Sequence, residues 1–206
     1  MPSSPLEKAK NMFSADGSLV TGPLSWRHNE LPSILEQSKG IVSVSEVIGA
    51  LLDMLNLRHP GVKVIREFRE SSLLESSRDD LEQVFGIILG NAFDAVATGG
   101  SVKVRVVERG RGNGKSGIRV LVGDTGKGMS AEVKARLFEP FFSTKHMTGL
   151  GLGLWIACGV VKDLQGRIKI RSSDAPANSG TVVSVFLPFR STPSPSVTSA
   201  PAGSAQ

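Results

Sequence analysis

The sequence predicts an α/β fold, an α+β two-layer sandwich with helices on one face of a mixed, mostly antiparallel sheet. Two long stretches repeat apolar residues at three- and four-residue steps, two pairs of short apolar stretches are joined by turn residues, and a third helical stretch lies between those pairs. A chain of 206 residues, 40% hydrophobic and 21% charged, is long enough to bury one core and is composed as ordinary globular proteins are.

The elements follow in order from a domain boundary placed near Gly40. Val44, Val47, Ile48, Leu51, Leu52 and Leu55 describe one apolar helix face behind Ser43 as cap, and Pro60-Gly61 ends that helix. "VKVIREF" (62–68) alternates as a strand does. Asp79 and Asp80 then open a second helix, where they complement the helix dipole, and its buried face carries Leu81, Val84, Phe85, Ile88, Ala92 and Ala95 up to a stop at Gly99-Gly100. "SVKVRVVE" (101–108) and "GIRVLVG" (117–123) form a hairpin across the glycine-rich loop "RGRGNGKSG". A short helix near Ser130 to Phe138, a loop, a helix around Gly151 to Leu164 and the strand pair "GRIKIRSS" and "GTVVSVFLP" complete the domain.

The ends differ from the middle. Residues 191–206, "STPSPSVTSAPAGSAQ", have too little apolar surface to offset the entropy of ordering and are expected to be disordered, and residues 1–40 hold at most a short helix near Leu31 to Lys39. The longest uncharged run, Met147 to Val161, is interrupted by glycine and short for a bilayer, and "MPSSPLEKAKNMF" lacks an apolar signal core, so a cytoplasmic chain without membrane contact is expected. A single cysteine, Cys158, excludes an internal disulfide framework, and its apolar neighbours point to the core. The formal charge is +5, with Lys103, Arg105, Arg109, Arg111, Lys115 and Arg119 gathered on one hairpin. No aromatic residue is interleaved with them and no nucleic-acid-binding motif follows, so they are taken as a solvated face with no nucleic-acid partner.

Chemistry concentrates in two glycine clusters. In "VLVGDTGKGM" a strand ends in one carboxylate, Asp124, followed by Gly126 and Gly128, an arrangement that in isolation is more common as a turn capping the next helix and that can also place an acceptor in an apolar pocket. In "TGLGLGLWI", Gly149, Gly151 and Gly153 alternate with Leu150, Leu152 and Leu154 ahead of a helix, where bare backbone amides approach an anion or simply allow close helix packing. No parallel βαβ unit surrounds this run, so it is not a dinucleotide fingerprint.

Five stretches together, "LEQVFGIILGNAFDAV", "VGDTGKGM", "LFEPFFSTK", "GLGLGLWI" and "SGTVVSVFLP", resemble in order and spacing the ATP-binding catalytic domain of sensor histidine kinases, of the fold shared with gyrase, Hsp90 and MutL. The resemblance covers about residues 41–190 and implies a Bergerat-type ATP-binding fold. It gives Asp124 the adenine amino group and Asn91 magnesium through its amide oxygen. Asp94 is read as structural. It also implies that Gly126, Gly128, Gly149, Gly151, Gly153 and Leu154 line the nucleotide, and that Thr181 makes a polar contact beside the adenine. "FEPFFSTKHMT" resembles the start of the mobile ATP lid, with Lys145 reaching the phosphates; for Phe138, Phe141 and Phe142 core packing is the fuller explanation.

The chain departs from this pattern twice. Four residues before the magnesium asparagine the family carries Asn or a water-activating Glu, and here Ile87 is neither base nor ligand, so gyrase-like hydrolysis is not expected. The phosphoacceptor histidine and its dimerisation hairpin are also not recognisable. His28 in "RHNELPSIL" has its acid and proline at other spacings, and neither His59 nor His146 fits better. The resemblance therefore implies an ATP- and magnesium-dependent histidine kinase domain that acts on a histidine-containing dimerisation domain in cis or in trans, upstream of a response regulator. The alternatives are a non-catalytic ATP-sensing module and an anti-sigma-type serine kinase of the same fold, whose relatives lack the "FEPFFSTK" stretch.

Overall fold

The computed structural model describes residues 39–68, 72–109, 116–143 and 150–189. Within them the chain runs β1 (Gly40–Ser43), α1 (Val44–Arg58), β2 (Lys63–Phe68), β3 (Leu73–Ser76), α2 (Arg78–Ala95), β4 (Ser101–Arg109), β5 (Gly117–Asp124), α3 (Ala131–Arg136), α4 (Gly153–Asp163), β6 (Arg167–Ser173) and β7 (Gly180–Pro188). Five strands form one sheet in the order β2-β4-β5-β7-β6, with β2 and β4 parallel and every other pair antiparallel, while β1 and β3 make a separate antiparallel ribbon. This is the expected two-layer sandwich with its mixed, mostly antiparallel sheet.

Local chemistry explains the element ends. Ser43 caps α1 by accepting from the Glu46 amide at 3.3 Å, and the His59 amide closes the other end on the Leu55 carbonyl at 3.0 Å. Helix α2 carries Asp79 and Asp80 in its first turn and stops at Ala95, where Val96 turns extended. That is short of the expected stop at Gly99-Gly100. Helix α4 begins at Gly153, because Gly151 has a φ of 67° and cannot continue a right-handed helix. The ribbon of β1 and β3 escaped the sequence reading, since four-residue strands hold too few alternations to register as a period.

Between the layers, Val47, Ile48 and Leu52 of α1 and Leu81, Val84, Phe85, Ile88 and Leu89 of α2 meet Val102, Val104 and Val106 of β4 and Ile118, Val120 and Val122 of β5, all almost wholly buried. Alternate residues of the strands point in and out, so this packing leaves the opposite face of the sheet without a helix among the described residues. Cys158, expected in the core, is only half-buried, because α4 sits at the edge of the layer and buries Ala157 and Val161 instead. Of the segment Leu31 to Lys39, only Lys39 is described, and it belongs to no element; His28, Arg111, Lys115, Lys145, His146, Gly149 and the 191–206 tail fall outside the described residues.

Phe85 is fully buried in the middle of α2 and is, with Phe93, one of the two largest core side chains. Phe85→Ala is expected to cost about 3–5 kcal/mol, the lost transfer energy plus a cavity in a close-packed layer. Urea unfolding followed by circular dichroism would measure it.

Candidate functional site

Helix α2 has two differently composed faces. One is the core face; the other carries Ile87, Gly90, Asn91 and Asp94 at helical spacing and forms one wall of a cleft of about 880 Å³. The opposite side is built from Gly128, Met129, Val133 and Leu137, from Phe142 and Ser143, and from Leu150 to Leu154 at the start of α4, while Ile170, Thr181 and Val183 of the sheet form the floor. Apolar walls with a few convergent polar groups are the usual make-up of a small-molecule site.

Asp124 is the last residue of β5 and enters the cleft half-buried. Its Oδ1 accepts from the Gly126 amide at 2.9 Å, a turn that orients the carboxylate. Burial raises its pKa above the ordinary aspartate value, and the backbone amides of Gly126 and Thr181 oppose that rise without cancelling it. The turn is held by backbone crowding. A methyl on Gly126 would lie 2.4 Å from the Ala95 carbonyl oxygen, one on Gly180 2.3 Å from that of Asp124, and one on Gly128 1.7 Å from that of Ser173, where φ is also 67°. Gly126 thus stands behind the cleft, against the end of α2, and does not line it.

Thr181 pairs with Asp124 across β5 and β7 and is buried. The Ser172 hydroxyl donates to the Gly180 carbonyl at 3.0 Å, so the Thr181 hydroxyl, 2.8 Å from Ser172 Oγ, is the donor of that contact. A hydroxyl whose proton is committed in this way keeps acceptor capacity. Asp124 and Thr181 accordingly stand side by side as acceptors.

At the other end, Gly151, Leu152, Gly153 and Leu154 line the cleft where α4 begins. The cap position is held by Leu152, which has no side-chain acceptor to occupy the first-turn amides of this 11-residue helix. Gly153 faces α2 closely: a methyl there would lie 3.2 Å from Ile87 Cγ2. Gly151 lets this segment pass against the backbone of Phe141 and Phe142, 2.5 to 2.7 Å from an added methyl. The phenylalanines correct an expectation, because Phe138 is 40% and Phe141 70% exposed, and Phe141 has a φ of 66°. Only Phe142 lines the cleft, its ring 4.3 Å from the Arg136 guanidinium carbon. Of the nucleotide set read from the sequence, the structure gathers Asn91, Asp124, Gly128, Gly151, Gly153, Leu154 and Thr181 around one cavity. Lys145 and Gly149 lie outside the described residues.

Residues 76–191 match the family of histidine kinase-, DNA gyrase B- and HSP90-like ATPases. The chain belongs to that family. This histidine kinase-like ATPase domain is 35% identical to the C4-dicarboxylate transport sensor protein DctB of Rhizobium meliloti (strain 1021) over 153 residues, 72% of this chain and 23% of that protein. Sporulation kinase C of Bacillus subtilis (strain 168) is 27% identical over 170 residues, 82% of this chain and 35% of the kinase. The chain thus spans about a third or less of these curated relatives. Among solved structures, the mycobacterial sensor histidine kinase MprB superposes with a TM-score of 0.64 at 25% identity, over 74% of this chain and 98% of that one. The catalytic domain of histidine kinase ThkA shares the fold with a TM-score of 0.62 at 24% identity, over 73% of this chain and 95% of its own. The kind of domain is therefore plain: the ATP-binding catalytic domain found in sensor histidine kinases.

Several residues of this ATPase domain's cleft were not read from the sequence as site residues. Ile170 and Val183 are apolar positions of ordinary strands, Leu137 directly follows α3 and Met129 lies in the connection between β5 and α3, and nothing in their local pattern sets them apart from core. Lys127 lines the cleft as an exposed cation, and its place between two site glycines was the available signal. Asp94, read as structural, is exposed and also lines the cleft.

The raised Asp124 pKa has a stability consequence. A carboxyl whose folded value lies above its unfolded value favours the fold most below the unfolded value, near pH 4, and that contribution is lost as pH rises through the folded value. Asp124→Asn keeps an acceptor for Gly126 but carries no charge. The nucleotide-free variant is expected to be more stable than the parent at neutral pH, with the gap closing as pH falls toward about 4. Urea titrations across that range would measure it.

Proposed function

We propose that this chain is the catalytic domain of a two-component sensor histidine kinase, binding ATP with magnesium and donating the γ-phosphate to a histidine on a dimerisation domain, in cis in a longer chain or supplied in trans, for onward transfer to a response regulator. The observation that carries this is the pairing of Asp124 and Thr181, two acceptors at one end of a largely apolar cleft, with the uncapped start of α4 at the same cavity. An exocyclic amine with two protons suits the first end. A polyphosphate suits the second, where first-turn amides and the helix dipole favour anions.

Each residue has a stated task. Asp124 accepts from the adenine amino group, Thr181 accepts or relays beside it, and Met129, Ile170 and Val183 bracket the base. Gly128, Gly151, Gly153 and Leu154 bring backbone to the nucleotide, Gly126 supports the Asp124 turn from behind, and Lys145 and Gly149 extend the phosphate cradle. Among the described residues no group of three or more His, Cys, Asp or Glu side chains can hold a metal ion. One amide oxygen from Asn91, with phosphate and water as the remaining ligands, is a donor set that suits magnesium. Bound there, the metal would neutralise phosphate charge. Transfer forms a bond from an imidazole nitrogen of the acceptor to the γ-phosphorus and breaks the bond from that phosphorus to the β,γ-bridging oxygen. The electron pair leaves on ADP and the imidazole proton passes to solvent. The chain's own contribution is alignment and charge stabilisation. Residues 41–190 are the folded unit in this reading, with 1–40 an extension, 191–206 a tail, and a cytoplasmic setting.

Ile87 favours a second reading, an ATP-sensing module that binds without transfer, because it places a methyl-bearing side chain against Gly153 at the phosphate end of the cleft. Incubation with γ-labelled ATP and purified dimerisation hairpins from related kinases separates the two. Acid-labile label on the hairpin and none on the chain alone is expected. Nucleotide binding with no transfer to several hairpins would favour the sensing module, with Ile87→Asn as the variant to restore transfer.

For binding itself, Asp124→Asn replaces an acceptor oxygen facing the amine with a donor. ATP affinity is expected to fall about tenfold or more, a loss of roughly 1.5–3 kcal/mol for a charge-assisted bond. Calorimetry would measure it, and equal affinities would remove Asp124 from the adenine site.

A further inference from the structure

The face of the five-stranded sheet turned away from the helices is patterned by charge. On β4, Lys103 and Arg105 point to this face and share one carboxylate, Glu67 of β2, so the column keeps a net positive charge. On β6, Arg167, Lys169 and Arg171 point the same way, all exposed, and none of the ion pairs among the described residues involves them. Their cross-strand neighbours are Phe186, Ser184 and Val182 of β7, which bring no opposite charge.

Two intervening strands separate the columns, so they stand about 14 Å apart at the usual strand spacing. The strip between them is mostly uncharged: Leu121 and Gly123 on β5, and Val182, Ser184 and Phe186 on β7. Val182 is 45% exposed, and the one cation of the strip, Arg119, lies over the Phe186 ring at 5.9 Å. The Arg119 Nε–H is buried and has no acceptor among the described residues. The long basic side chains on either side make this strip a trough in charge, with basic flanks and a partly apolar centre.

We infer that this trough is a docking surface for an acidic amphipathic helix of a partner protein. The two columns stand about 14 Å apart between strand axes, close to the roughly 10–12 Å width of a helix, so acids on both flanks of a helix lying over the strip can reach them. Its apolar stripe meets Val182, Leu121 and the Phe186 edge, and glutamates flanking that stripe meet the two basic columns. Arg167, Lys169 and Arg171 recur about every 6.8 Å and span roughly 14 Å, the rise of about nine helical residues. An interface of this kind has an apolar centre and a charged rim. The other occupants fit less well. Single-stranded nucleic acid needs aromatic platforms, and the one aromatic ring of the strip is already covered by Arg119. An anionic membrane is gripped by several inserted apolar side chains, and Val182 is the one large apolar residue of the strip that is exposed. A second copy through the same face would oppose like charges, and residues 191–206 contain no acid.

The test uses the full chain and a labelled peptide of about 18 residues, five helical turns, with leucines at helical spacing flanked by glutamates. Fluorescence anisotropy at about 50 mM salt is expected to show saturable binding that weakens at about 500 mM. The combined variant R167E/K169E/R171E is expected to bind at least about tenfold more weakly. Val182→Asp, which leaves the walls intact, is expected to weaken peptide binding severalfold while nucleotide binding stays at the parent's value. Equal binding of a scrambled peptide of the same composition would reduce the trough to a general polyanion site and overturn the proposal. So would tighter binding to duplex DNA or to anionic vesicles, or unchanged affinity in both variants.

Discussion

The cleft depends on how closely backbone passes backbone at the end of β5. The turn after Asp124 lies against the carbonyl of Ala95 on one side and that of Ser173 on another, and the Asp124 carbonyl is itself approached by Gly180. Three elements far apart in sequence, the end of α2 and the facing ends of β6 and β7, are brought to one point with no side chain between them. The carboxylate then has little freedom to turn toward water, so its half-burial and raised pKa follow from packing and not from a partner charge. Loosening these contacts would free Asp124 to turn toward solvent and weaken one of the polar groups that distinguish this cleft from an apolar groove.

The same crowding divides labour along α2. One face must be apolar to hold the sheet, and Phe85, Ile88 and Leu89 do so. The other must leave room, and small or short residues at Gly90, Asn91 and Ala95 do that, at some cost in helix propensity for the glycine. Ile87 is the exception, a bulky side chain on the open face, tolerated because α4 begins opposite it with a glycine.

Much of this was legible in the sequence, and the parts that were not share a cause. Long elements with an unbroken period, such as α1 behind Ser43 and the pair β4 and β5, were read closely because each carries several repeats of one signal. The polar ends of the cleft were readable because Asp124, Asn91 and Thr181 sit in motifs whose glycines advertise close approach. Its apolar walls were not, since Ile170 and Val183 look like any strand residue until the fold shows which lie over empty space. The exposure of Phe138 and Phe141 ran against an expectation drawn from residue type alone; the left-handed backbone at Phe141 depends on the chain around it and has no local sequence mark. The basic residues of the hairpin were visible as a cluster, but the second column on β6 joins them only through a sheet order that places β7 between β5 and β6.

That sheet order also bears on the timing of assembly. The last strand among the described residues, β7, is second from the edge, so during synthesis β6 emerges before the strand that must lie between it and β5. Until β7 arrives, β5 offers an unpaired edge of alternating valines, the kind of surface that recruits other chains. The floor residues Thr181 and Val183 are on this late strand. A nascent chain that has not reached β7 therefore has helix α2 and β5 but neither the Gly180 contact at Asp124 nor the floor of the cleft, so the cleft closes only once β7 has been made.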